Sequence, residues 1–464
     1  MKAQPKILSG WLTTESGTFE VEARYGTKYS VLIVFKEEIF IDETFDLELN
    51  VKNKKVPVGA CRLIMESERR GKTFHIMPQI NFYNFEKLFF RSKIENLEEA
   101  AMSLPSLIEY KEKIDPKFKE FVSDLSYELN VYDHLLTKID DDAKNEPQEV
   151  RDFVENKFIN SMGADLKAFM AESQDKLGEI VSSFSDKEHK IHSYFFRRQL
   201  WNILLQSPFV ARSNLRPRGY AGDSEMMRMI YRNDYEGEST FGKILHKCGV
   251  EQVAAESVRE RRQTIKNKVQ SMEEELNLPS EEKMRILSVA CGPAMEIGDI
   301  LKTKEDCSRL HFSLLDQDEE ALSEASSLIN IIERSLDTKV SHDLIQESVR
   351  VMLLNPDFLS RWGDFHFIYS MGLFDYFTAP VATSVLEKLY GVLKPGGEIA
   401  IGNFLTQHSS QMYMEYWLDW YLIYRTEEEF LKMAENLPGA QCKIVLDQYN
   451  VQMFLQVKKP LDAQ

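Results

Sequence analysis

Apolar positions in the first part of the chain come in short β-branched and aromatic runs. FEVEARY, KYSVLIVF, IFIDETFDLELNV, VPVGACRLIM and KTFHIMP are separated by Gly, Lys-Asn and Arg-Gly turns. Such runs at roughly ten-residue spacing predict several short strands, and a small barrel or sandwich over residues 1–92. From 93 to 280 the apolar period lengthens to three and four, as in FKEFVSDLSYELNVYDHLLTKI and EHKIHSYFFRRQLWNILL, which predicts a helical middle domain. SPFVARSNLRPRGYAGD (207–223) interrupts those helices with two prolines and two glycines. ESVRERRQTIKNKVQSMEEEL reads as a helix whose mixed charges form a solvated face. From 281 to 464 strand and helix alternate. RILSVA, LHFSLLD, VRVMLL, FHFIYS and GEIAIGNF are the strand candidates, AMEIGDILKT, EEALSEASSLINII and VATSVLEKLYGVL the helices, and CKIVLD with VQMFLQVK the closing pair. SSQMYMEYWLDWYLIYRTEEEFLKMAENL reads as helical. Alternation with buried apolar strands predicts a doubly wound, largely parallel sheet, whose ligands bind beyond the carboxyl ends of the strands.

Charge narrows the function classes. The 464 residues carry 57 Lys and Arg against 74 Asp and Glu, a formal net charge of −17. Neutralising a phosphate backbone needs a basic surface, so a nucleic-acid polymer is not an expected partner. The five cysteines, Cys61, Cys248, Cys291, Cys307 and Cys442, form no CxxC pair, which removes a disulfide scaffold and a zinc site from the expectations. His189 and His192 share a helix face but have no third ligand in view, so no metal is expected. MKAQPKILSG has no apolar signal core, and no stretch approaches about eighteen uncharged apolar residues. The expectation is a reduced, cytoplasmic protein without a membrane span. Oligomeric state is not readable.

Two features fall in register in the last zone. Cys291-Gly292-Pro293 stands between a strand and a helix, where a glycine allows close backbone approach and the helix start offers unpaired N–H groups. The next strand ends in Asp316, where a carboxylate can accept both hydroxyls of a ribose. Taken singly, the glycine suits any tight turn and the aspartate any helix cap.

FHFIYSMGLFDYF followed by LKPGGEIAIGNF resembles the fourth strand, and the Pro-Gly-Gly turn before the fifth, of class I S-adenosyl-L-methionine (SAM)-dependent methyltransferases. The resemblance covers about 284–459 and implies that family's seven-stranded, Rossmann-like sheet with a terminal antiparallel hairpin. It implies that Ala290, Cys291, Gly292 and Pro293 lie against the methionine moiety, that Asp316 holds the ribose, and that Asn355 approaches the adenine. Ser370 and Met371 would line the cofactor. The sequence departs from the pattern at Ser288, where the family often has an acid, and at Ala290 and Ala294, where it has glycines.

LRPRGYAGDSEMM, with GNFLTQHSSQMYMEYWLDWYLIYRTEEEF further on, resembles the bacterial methyltransferases of 3-hydroxypalmitic acid methyl ester biosynthesis, which make a quorum-sensing signal. This resemblance implies methylation of a fatty-acid carboxylate. An ionised carboxylate needs no general base, so the enzyme has only to align and desolvate it. Arg216, Tyr220 and Asp223 are the candidate catalytic residues, with Arg218, on a loop able to cover the ligand edge. The plainer alternative is a surface loop whose arginines pair with acidic neighbours. Met414, Trp417, Leu418 and Tyr421 share a helical face and are either core or an acyl-chain wall. His408 stands just past the fifth strand, as a loop histidine or a substrate contact. A different class is a non-catalytic regulatory module binding SAM, cyclic di-GMP or an acyl ligand.

The first zone resembles a degenerate PilZ domain. Arg24-Tyr25-Gly26-Thr27-Lys28 keeps the spacing of the RxxxR loop with Lys in second place, and Lys54-Lys55-Val56-Pro57-Val58 precedes Gly59 without the family's acid and serine. Lys does not reproduce a bidentate, stacked arginine. The expectation is a structural or docking domain, with a regulatory partner or nucleotide as the other option.

Overall fold

The structure is a computed structural model describing residues 7–14, 17–27, 30–34, 44–51, 54–67, 73–78, 110–354 and 359–461. It divides into two compact units, Met1–Lys113 and Ile114–Gln464.

In the first unit, six strands pair antiparallel throughout: β1 (Leu8–Thr14), β2 (Gly17–Thr27), β3 (Ser30–Val34), β4 (Thr44–Val51), β5 (Lys54–Ser67) and β6 (Thr73–Pro78). The order β1-β2-β3-β6-β5-β4 closes into a barrel through the β1–β4 pairing. Alternation places Leu12, Val21, Ala23, Ile33, Leu47 and Leu49 inside. Register shifts at Tyr25/Thr27, Leu47/Glu48 and Leu63/Met65 supply the local bending that closure needs. Arg24 is tied to Glu22 at 2.7 Å, while Lys28 lies outside the described residues.

The second unit opens with the helices α1 (Pro116–Ala143), α2 (Gln148–Val181), α3 (Asp186–Gln199), α4 (Pro208–Leu215), α5 (Ser224–Arg232), α6 (Thr240–Val250) and α7 (Val253–Leu276). Asp115, Ser207, Asp223 and Ser239 cap α1, α4, α5 and α6 by accepting backbone N–H groups. Phe118, Leu166, Phe196 and Phe241 from these helices share one core with Phe404, Tyr413, Trp417 and Val451. Because that core crosses the 280/281 boundary, the helical and α/β zones fold as one unit.

Seven strands follow: β7 (Met284–Val289), β8 (Leu310–Asp316), β9 (Ser341–Gln346), β10 (Phe365–Ser370), β11 (Leu393–Phe404), β12 (Gln441–Leu446) and β13 (Gln452–Lys458). Their order is β12-β13-β11-β10-β7-β8-β9, parallel except where β13 pairs antiparallel with β11 and β12. This is the doubly wound, seven-stranded sheet with a terminal hairpin that the resemblance implied.

Two elements differ from the sequence reading. VRVMLL forms a helix, Val349–Leu354, and the third strand is the preceding SHDLIQ. That strand is the sheet edge and mostly only half-buried, so it lacks the apolar run by which strands are recognised. The expected long helix after β11 is one π-turn, Tyr413–Trp417, and a separate helix, Glu427–Lys432. Asp419, at φ 52, turns the chain away between them.

Among the described residues no helix is long and apolar enough to cross a membrane, and no His, Cys, Asp and Glu cluster suits a metal. Cys248, Cys291, Cys307 and Cys442 form no disulfide.

Candidate functional site

The chain order reverses between β7 and β10, and such a switch point leaves a crevice at the carboxyl ends of the strands. After β7 the backbone enters the left-handed region three times, at Ala290 (φ 54), Gly292 (φ 55) and Ala294 (φ 48). For the two alanines this conformation costs about 1–2 kcal/mol each. The loop thus keeps a glycine-type path although only one of the three is glycine. A side chain built on Gly292 would meet nothing within 4 Å, so its open face is a cradle. Asp316 stands beside it at the end of β8. Its carboxylate accepts the N–H of Gly292 and that of Asp318, each at 2.9 Å, and it is 8% exposed. Burial raises its pKa, and the two backbone donors act against that rise.

A cavity of about 570 Å³ opens over these groups, within the roughly 300–1,000 Å³ range of small-molecule sites. Of the residues anticipated from sequence, it brings together Arg218, Tyr220, Ala290, Cys291, Gly292, Pro293, Asp316 and Met371.

The others are placed elsewhere. Arg216 ends α4 in a left-handed turn, and its guanidinium binds the carboxylate and carbonyl of Asp419. Asp223 caps α5 and receives the Arg212 Nε–H at 2.8 and 2.9 Å on its two oxygens, leaving it 1% exposed. Ser370 is fully buried and donates to the Val289 carbonyl at 2.8 Å, clasping β10 to β7. None of the three lines the cavity. Asn355 lies outside the described residues. Met414, Trp417 and Leu418 are core, and Tyr421 is 37% exposed. His408 is buried between the Phe404 and Tyr424 rings with neither ring nitrogen hydrogen-bonded, and burial pushes its pKa down to about 4.

The 216–223 loop latches onto the turn after β8. Arg218 pairs with Asp318 at 2.9 Å, with Glu320, and with Glu324 at 3.7 Å. Tyr220 donates its hydroxyl to Asp318 at 3.3 Å, and burial raises its pKa. Both arginines of this loop are therefore held by acidic neighbours, and Arg218, Tyr220 and Gly222 line the cavity.

Several cavity residues were not singled out from sequence. Glu296 accepts the Tyr369 hydroxyl at 2.7 Å, and burial raises its pKa. Asp375, 2% exposed, accepts the Phe404 N–H at 2.7 Å, and burial pushes its pKa up to about 6. Trp420 donates its ring N–H to the Tyr376 hydroxyl at 2.9 Å. Arg261 reaches in from α7 and is 8% exposed, although its helix reads as a solvated face. The one available signal for Asp375 was a lone acid inside the aromatic run LFDYF.

A family model described as "Putative methyltransferase" matches residues 150–357. No curated protein matches the chain. Among solved structures, a possible exported protein from Bordetella parapertussis is 15% identical, with a TM-score of 0.40, over 64% of this chain and 97% of its own. Magnesium protoporphyrin IX methyltransferase from Synechocystis PCC 6803 with bound SAM is 11% identical, with a TM-score of 0.34, over 51% of this chain and 93% of its own. An N-methyltransferase from Bradyrhizobium japonicum WM9 with S-adenosyl-L-homocysteine is 12% identical, with a TM-score of 0.30, over 44% and 87%. None of these findings supports the PilZ likeness of the first unit.

Proposed function

We propose that the second unit is a SAM-dependent methyltransferase that esterifies the carboxylate of an apolar acid, a 3-hydroxy fatty acid being the expected class. The observation that carries this reading is one cavity, at the switch point of a seven-stranded sheet, joining the Gly292 cradle and the Asp316 carboxylate to a second, mainly aromatic end. The group fits the residues present. Asp316 suits a ribose diol, and the open face of Gly292 admits a ligand against the backbone. SAM, when bound, supplies an electrophilic sulfonium methyl.

The remaining work falls to the chain. Tyr376, Trp420, Leu422 and Phe404 give the acceptor an apolar surround that strips water from its nucleophilic oxygen. Arg218 and Tyr220 hold the 216–223 loop down on the turn after Asp316, so the acceptor oxygen is approached in a closed space. A carboxylate is ionised at neutral pH and asks for no proton transfer.

One observation favours a second acceptor. Asp375, with its pKa near 6, is a carboxylate able to take a proton from a hydroxyl nucleophile. A 3-hydroxy acid offers both groups, so isotope-labelled SAM with a panel of such acids tests both readings at once. Mass spectrometry showing an alkali-labile methyl ester supports the carboxylate. An alkali-stable ether assigns the hydroxyl and Asp375 as base. No labelled product refutes the acceptor class.

A further inference from the structure

We infer that Arg261 is the carboxylate-binding group of the cavity, an inference that rests on the methyltransferase reading. Arg261 sits on α7 with its guanidinium against the segment that follows β10. It donates to the Met371 carbonyl at 3.0 Å and touches the Met227 sulfur at 3.3 Å. Although it is 8% exposed, it forms no ion pair with any described carboxylate. The other cavity arginines are differently placed. Arg218 holds three acids, Arg262 pairs with Asp299 at 2.6 Å, and Arg350 is exposed.

Burying a cation without a counter-charge is unfavourable, and an arriving anion removes that cost. The acids nearest in effect are Glu296 and Asp375. Both lie outside ion-pair reach of Arg261; burial raises both pKa values and the field of Arg261 acts against that rise. Neither makes a direct ion pair with the guanidinium, whose fork stays available to a carboxylate in the cavity. Its planar fork is matched by a carboxylate, which accepts two parallel N–H groups. Two carboxylates are chemically equivalent here: that of the acid acceptor, and that of the amino-acid end of the cofactor.

The test uses the full-length chain and its Arg261→Gln and Arg261→Lys variants in calorimetric titrations. S-adenosylhomocysteine is compared with methylthioadenosine, which lacks the amino-acid end. A 3-hydroxy fatty acid is compared with its amide. Losing hydrogen bonds to a charged group predicts roughly a ten- to hundredfold weakening in Arg261→Gln, with partial recovery in Arg261→Lys. Weakening of S-adenosylhomocysteine with methylthioadenosine unchanged assigns the cofactor carboxylate. Weakening of the acid with the amide unchanged assigns the acceptor. Variants that bind every ligand like the unmodified chain overturn the inference, as does equal loss of all of them without recovery by Lys, which marks a structural arginine.

The same titrations separate the cofactor site from the acceptor site. An unmodified chain that binds the cofactor product but no acid removes the acceptor reading, while the S-adenosylhomocysteine and methylthioadenosine pair still judges Arg261. An unmodified chain that binds neither nucleoside removes the methyltransferase reading, and the acid and amide pair then judges Arg261.

Discussion

Gly222→Ala is the substitution whose outcome follows most directly from the geometry. A methyl group there would lie 2.3 Å from Trp420 Cζ2, 2.9 Å from Cη2 and 3.0 Å from the Tyr376 hydroxyl oxygen. Carbon atoms in contact sit about 3.5–4.0 Å apart, so the indole must retreat by roughly 1 Å. It has little freedom to do so, being 9% exposed and held by its N–H bond to Tyr376. Overpacking of this kind costs about 1–3 kcal/mol, and a strained or lost hydrogen bond about 1 kcal/mol more. The expected loss of stability is therefore about 2–4 kcal/mol, read from urea unfolding midpoints at constant m. S-adenosylhomocysteine affinity should hold, because Gly292 and Asp316 are not among the displaced groups, while acceptor turnover falls. Trp420→Phe in the same chain should recover at least about 1 kcal/mol as coupling energy. Unchanged stability and turnover in Gly222→Ala, or no coupling with Trp420→Phe, would refute the packing argument.

Further expectations concern the buried charges and the strained loop. Asp375 is protonated in the folded chain up to about pH 6 but in the unfolded chain only below about 3.8. Between those values the folded state holds the extra proton, so its contribution to stability falls as pH rises from about 4 to 6 and levels off above. At about 1.36 kcal/mol per pH unit this amounts to about 3 kcal/mol. Asp375→Asn should therefore be the more stable chain at pH 8 and converge with the unmodified chain near pH 4; parallel stability curves in denaturant titrations would contradict this. Arg212→Met strands the buried Asp223 carboxylate and should cost about 3 kcal/mol, largely recovered by adding Asp223→Asn. A loss below about 1 kcal/mol in thermal unfolding would remove that pairing from the account. Ala290→Gly should stabilise the chain by about 0.5–1 kcal/mol by relieving a left-handed alanine, and a lowered melting temperature would show that the methyl group packs usefully.

The central strands of the sheet were legible because strands buried on both faces must be apolar throughout, as in FHFIYS. Gly292 and Asp316 were legible because each marks the end of such a strand. The edge strand SHDLIQ was not, since a half-solvated edge carries polar residues that look like loop. Arg261 was hidden for a related reason. In a helix of mixed charges a buried arginine has the same linear signature as a solvated one, and only its contact with the Met371 carbonyl separates them. The loop arginines misled in the opposite direction. Arg216 and Arg218 stand in a glycine-containing loop of the expected kind, but their partners come from distant sequence, Asp419 and Asp318. Periodicity shows which face of an element is apolar and leaves its charge partners unspecified.

Calorimetric titration of S-adenosylhomocysteine into the unmodified chain and into Asp316→Ala bears most directly on the cofactor site. One site per chain is expected, weakened at least about tenfold in the variant by loss of the carboxylate acceptor, with the unfolding transition retained. No binding to the unmodified chain, or equal affinity in a folded Asp316→Ala chain, would contradict it.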